Sequence, residues 1–119
     1  MSNPKGTRFE TALVRYLASW WPHVERRARN GAKDRGDIAG LIGVVVEAKA
    51  ARAMDLAGWV DEAEVERVND GASVAVVWHH RRGKGSPGDG YVTMTGRQFV
   101  ALLIEAGYGP APSTQGGAP

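Results

Sequence analysis

Val44-Val45-Val46 is apolar enough to be a buried strand, yet it runs straight into Glu47-Ala48-Lys49. A core strand avoids such residues, because a buried charge costs several kcal/mol unless it is paired or bound to a metal. Side chains alternate along a strand. Glu47 and Lys49 therefore share a face with Val45, while Val44, Val46 and Ala48 share the other. Upstream, Gly36-Asp37-Ile38 and a glycine-flanked turn read as the other arm of a β-hairpin. If Leu41-Ile42-Gly43 form a three-residue loop, Asp37 falls opposite Glu47, with Cβ atoms roughly 5 Å apart. A two-residue loop would set Asp37 against Val46 instead and break the arrangement. Two carboxylates that close repel one another. A divalent cation between them is the common remedy, and Mg²⁺ takes such oxygen ligands. A solvated hairpin in which Lys49 balances two acids is the alternative; the apolar run leading into Glu47 weighs against it.

The rest of the composition sets bounds. A chain of 119 residues is expected to form one domain with a single core. It has no cysteine, hence neither a disulfide nor a thiolate metal site. No apolar run approaches the length of a membrane span and no secretory pattern is present, so a cytoplasmic protein without membrane association is expected. The net charge is only +2, but eleven of the fifteen basic residues are arginine, whose planar fork suits bidentate contacts with phosphate.

Phe9, Leu13, Tyr16, Leu17 and Trp20 recur at helical spacing over residues 4 to about 20, with Pro22 at the exit. Glu10 lies at the edge of that stripe, where spacing alone favours an ordinary helix-flank glutamate. An arginine-rich strand over residues 24–29 and a basic, glycine-containing loop over 30–35 then lead into Asp37. Asp55 is a suitable N-cap for a second helix ending before Gly71. Leu56, Trp59, Val60 and Ala63 form its inward stripe. Asp61, Glu62, Glu64 and Glu66 read as an acidic, solubilising outer face turned away from any bound polyanion.

Residues 73–78 are the next buried strand. His79 and His80 follow it, but neighbours on a strand point to opposite faces, so the pair is not a joint metal site. Arg81-Arg82-Gly83-Lys84 reads as a basic loop suited to phosphates, with a merely solvated loop as the alternative. Residues 91–95 alternate like a last strand. A final helix, capped by Thr95 or Gly96, should turn Phe99, Leu102, Leu103 and Ala106 inward. The domain thus covers residues 1–107, and a Gly-, Pro-, Ser- and Ala-rich tail over 108–119 is expected to be disordered. The order α-β-β-β-α-β-β-α describes an α/β protein with a mixed sheet flanked by helices.

Asp37 together with Glu47-Ala48-Lys49 resembles the signature of the PD-(D/E)XK nucleases, with Gly36 in place of the proline. Within that superfamily the chain is similar, over roughly residues 5 to 80, to the archaeal-type Holliday junction resolvases and their phage relatives. The further matching residues are Lys5-Gly6, Glu10 and Arg29. Thr11, Asn30-Gly31, the short interval from Asp37 to Glu47 and the C-terminal hairpin and helix depart from the archaeal pattern.

The resemblance implies a restriction-endonuclease-like fold and a metal-dependent, structure-selective endodeoxyribonuclease. Such an enzyme resolves four-way junctions by phosphodiester hydrolysis during recombination and repair. It implies Glu10, Asp37, Glu47 and Lys49 as catalytic residues. Mg²⁺, for which Mn²⁺ substitutes, would be held by Asp37, Glu47, the Ala48 carbonyl and Glu10, the last directly or through water. Lys5, Arg29, Lys33, Arg35, Arg81, Arg82 and Lys84 would contact DNA, and a homodimer would present two sites to a two-fold junction. Another nuclease of the same superfamily (restriction-like, flap-directed or replication-repair) is a second reading, and a non-catalytic basic DNA-binding module a third.

Overall fold

The computed structural model describes residues 4–27 and 36–109. Arg29, Lys33, Arg35 and the chain beyond Gly109 lie outside the described residues. The elements run α1 (Pro4–Leu17), β1 (Glu25–Arg26), β2 (Ile38–Ala39), β3 (Val44–Lys49), α2 (Leu56–Asp70), β4 (Val74–His79), β5 (Tyr91–Thr93) and α3 (Gly96–Glu105), with a 3₁₀ turn at Pro87–Asp89. The protein is a mixed α/β fold. β3 and β4 pair in parallel with Glu47 beside Val77 and Lys49 beside His79, and β5 adds antiparallel to β4. β1 and β2 form a separate two-stranded antiparallel ladder.

Alternation along β3 and β4 divides the core in two. Val46, Val74 and Val76 meet Phe9, Leu13 and Leu17 of α1, closed off by Val24 and Ile38. Val45, Ala75 and Val77 meet Trp59 and Ala63 of α2. α2 and α3 are bounded by local chemistry. The Asp55 carboxylate accepts from the Gly58 amide at the start of α2, and Gly71, in the left-handed conformation, returns its amide to Arg67 and Val68 at the end. The Thr95 hydroxyl caps α3 in the same manner by accepting from Gln98 N.

Three sequence expectations need correction. α1 stops at Leu17, and the following turn, closed by Trp20 N to Leu17 O at 3.0 Å, takes Trp20 out of helical phase. Trp20 is 59% exposed and packs against Tyr16 and Trp21 rather than in the core. α3 does not bury the predicted stripe. Phe99 is 50% exposed, Leu102 and Ala106 are also exposed, Leu103 is half-buried, and Gln98 is the buried residue. The reason is the open edge of β4 before β5 begins: the Gln98 side-chain oxygen accepts from Ala75 N at 2.6 Å, and its amide donates to Glu64. Finally, the motif hairpin is not a regular ladder. β2 pairs with β1, and the link from this segment to β3 is made by Asp37.

Candidate active site on the α2 face of β3

Asp37 is fixed to β3 twice. Its amide donates to Val46 O at 3.0 Å, and its Oδ2 accepts from Ala48 N at 2.8 Å. The aspartate thereby brackets Glu47, bonding to the residue on either side of it. Gly36 makes this approach possible. Its φ is +96°, and a Cβ there would come within 2.8 Å of Val45 Cγ1 and 3.2 Å of Val46 O. Glycine at the position where the resembled signature carries proline is thus dictated by close contact with β3.

Glu47 is 1% exposed and points to the α2 face, as alternation requires. Its Oε2 lies 3.2 Å from Lys49 Nζ, while its Oε1 is buried and accepts no hydrogen bond among the described residues. Lys49 Nζ also meets Glu62 Oε1 of α2 at 2.9 Å. Burial, and then the neighbouring Asp37 carboxylate, push the Glu47 carboxyl up to about 11, with Glu66 and Glu62 adding to the effect. Burial disfavours the Lys49 ammonium, but Glu62 and Glu47 outweigh it and hold the group above the usual lysine range.

The acidic face assigned to α2 is the main departure from the sequence reading. Glu66 is 1% exposed, and one oxygen each of Glu47, Glu62 and Glu66 lie within 4.8 Å of one another. The signal for this was present. Residues 59, 63 and 66 stand at i, i+4 and i+7, so Glu66 shares the buried stripe of Trp59 and Ala63 that docks on the sheet, while Glu62 flanks that stripe and stays exposed. Asp61, Glu62 and Glu64 stay off that buried stripe, and Glu64 pairs with Arg67 at 3.2 Å.

Glu10, on the opposite side of the sheet in α1, pairs with Arg26 Nε at 3.0 Å and stands apart from this group of carboxylates. The two histidines go to opposite faces. His80 meets the Phe9 ring edge-on at 5.9 Å, whereas His79 packs between Trp59 and Tyr91 with Nε2 2.9 Å from Thr93 Oγ1. Burial lowers the His79 pKa.

Arg81, Arg82 and Lys84 are exposed on the loop after β4. That loop leaves beside the end of β3, where His80 N donates to Lys49 O at 2.9 Å, and Arg81 rests 5.6 Å from the centre of the Tyr91 ring. Next to it an open groove is lined by Arg8, Phe9, Ala12, Ala50, His80 and Gly85. Lys5 belongs to α1 by its backbone. Among the described residues no helix is long and apolar enough to cross a membrane.

No protein-family model, curated protein or solved structure matches this chain.

Proposed function

We propose that the protein is a divalent-metal-dependent endodeoxyribonuclease with a restriction-endonuclease-like core, acting on branched DNA of the four-way-junction class. The observation that carries this reading is the gathering of Asp37, Glu47 and Lys49 around one backbone bond. Asp37 Oδ2 takes the Ala48 amide at 2.8 Å, and Lys49 Nζ lies 3.2 Å from Glu47 Oε2. Two acids and a lysine assembled at one strand, with a basic loop leaving beside it, form a constellation suited to phosphodiester hydrolysis.

Mg²⁺ fits this donor set, because it prefers carboxylate oxygen and Glu47 Oε1 is a buried acceptor with no hydrogen bond among the described residues. Asp37, Glu47 and the Ala48 carbonyl would hold the ion. When bound, it would polarise the scissile phosphate, lower the pKa of a bound water and stabilise the leaving oxygen. The Lys49 ammonium, kept protonated by its two carboxylate partners, is suited to orient the attacking water and offset charge on the phosphorane-like transition state. Arg81, Arg82 and Lys84 contribute backbone phosphate contacts, which makes binding fall as salt rises. Cutting two opposed strands of a junction calls for two such sites, which a homodimer supplies.

Cleavage and binding of a labelled four-way junction, measured beside a linear duplex of the same sequence, test the substrate class. Mg²⁺-dependent paired nicks on the junction are the expected result. Equal cutting of both DNAs would make the protein a general nuclease. Tight binding with no cutting in Mg²⁺ or Mn²⁺ would leave a non-catalytic DNA-binding module.

A further inference from the structure

α3 carries the unbroken apolar run Phe99-Val100-Ala101-Leu102-Leu103-Ile104. A helix that is apolar all round belongs in an interior. This one rests on the fold along one side only. Gln98 is buried against β4 and Leu103 is half-buried, and these two positions define the side turned inward. At about 3.6 residues per turn, the opposite side carries Arg97, Val100, Ala101 and Ile104, all exposed. Val100 is 55% and Ile104 57% exposed, so the two β-branched residues of the helix face solvent rather than either core layer.

The charges beside them say what fits this side. Arg97, Ala101 and Glu105 stand four residues apart and form one row along the helix: basic at its start, small in the middle and acidic at its end. Neither charge has an ion pair among the described residues. An antiparallel copy of the same helix, related by a two-fold axis at Ala101, sets Arg97 of each copy against Glu105 of the other. The small side chain at the crossing suits the separation of packed helix axes, roughly 8 to 10 Å. The chain after Gly109 offers no rival cover, since Pro-Ala-Pro-Ser-Thr-Gln-Gly-Gly-Ala-Pro holds no aromatic or branched aliphatic residue.

We infer that the solvent-facing side of α3 is a self-complementary interface at which two copies of this chain pair, antiparallel about Ala101, through Val100, Ile104 and two reciprocal Arg97–Glu105 ion pairs. The inference deepens the two-site reading of the proposed nuclease and rests on it for its functional meaning, but the interface itself stands on α3. α3 meets β4 at Ala75, whereas Lys49 lies beside His79 at the other end of that strand. Pairing through α3 therefore leaves the motif end of the sheet, and the basic loop that follows it, open in both copies.

Sedimentation of the full-length protein should give twice the mass of one chain. Ile104→Asp, at an exposed position outside both core layers, should keep the far-ultraviolet spectrum of the fold and sediment as a monomer. Arg97→Glu and Glu105→Arg should each weaken dimerisation by about tenfold or more, because like charges then face one another twice. Each reversal suits the helix dipole where it stands, so a loss of helix stability is not the cause. The double reversal should restore the parent's dimer. Because the chain has no cysteine, Ala101→Cys under a mild oxidant should join two copies by a disulfide across the axis. Ala57→Cys, equally exposed on α2, should not. A parent protein that stays monomeric at the concentrations where it binds junction DNA would overturn the inference. So would a dimer that persists in Ile104→Asp and fails to cross-link in Ala101→Cys. Junction cleavage measured in parallel keeps the two readings apart. A parent dimer that cross-links in Ala101→Cys and cuts no DNA would support the interface and refute the nuclease. Cutting by a parent protein that is monomeric, or that pairs through another face, would do the reverse.

Discussion

The two faces of β3 differ as sharply as alternation allows. Toward α1, Val44, Val46 and Ala48 pack against Phe9, Leu13 and Leu17 in an apolar layer. Toward α2, the same six-residue strand presents Val45 and then Glu47 and Lys49, met by Glu62 and Glu66. The first face supplies burial, at roughly 25 cal/mol per Å² of apolar surface removed from water. The second adds an apolar layer of its own, Val45 with Trp59 and Ala63, but the desolvated carboxyl groups beside it offset part of that gain. A strand that holds the fold together on one side carries, on the other, a buried carboxyl group paired with Lys49.

The comparison is most strongly broken from the α1 side. Leu13 is fully buried, and Leu13→Ala should lower unfolding free energy by about 3 to 5 kcal/mol, read from denaturant midpoints, as large-to-small core changes do. On the α2 side Lys49→Ala should instead leave folding largely intact while reducing the cleavage rate by about 10²- to 10³-fold, the size expected for losing one group that stabilises transition-state charge. A Lys49→Ala protein that cuts normally would show the second face to be structural.

The pH dependence gives a finer distinction. In the fold the Glu47 carboxyl titrates at about 11 against 4.5 in the unfolded chain, so through that window the unfolded state releases its proton first. This group therefore favours the fold fully below pH 4.5 and loses that contribution as pH rises towards 11. Asp37, Lys49, Glu62 and Glu66 are the charged groups that face it. The metal-free protein should thus lose stability between about pH 7 and 9, above the range in which His79 titrates. Glu47→Gln should flatten that slope and raise the midpoint at the alkaline end. A steeper slope in Glu47→Gln would contradict the assignment. The smallest effect belongs to Arg26→Ala. Its pair with Glu10 is nearly half exposed on the arginine side, and removing it should change stability by no more than about 1 kcal/mol.

Much of this division was legible in the sequence. The triple valine followed by Glu47 and Lys49 marked both the strand and its charged face, and Asp55, Gly71 and Thr95 marked helix ends by their own chemistry. What was not legible depended on contacts distant in the chain. The carboxylates of α2 read as a solvated face because Asp61, Glu62, Glu64 and Glu66 are mixed on and off the docking stripe, and only the phase set by Trp59 and Ala63 sorts them. Gln98 displaced Phe99 from the α3 contact because the edge of β4 at Ala75 needed an acceptor, a demand that no local pattern in α3 announces. Gly36 read as a departure from a motif, and only the closeness of Val45 and Val46 explains it.

The most direct test of the account is Mg²⁺-dependent cleavage of a four-way junction by the parent protein and by Asp37→Asn, with binding measured on the same DNA. Asp37→Asn should bind the junction as the parent does and fail to cut it, because the substitution removes a charge at the bracket around Glu47 without removing the basic loop. Cleavage by Asp37→Asn at the parent's rate would contradict the claim that this strand carries the reaction.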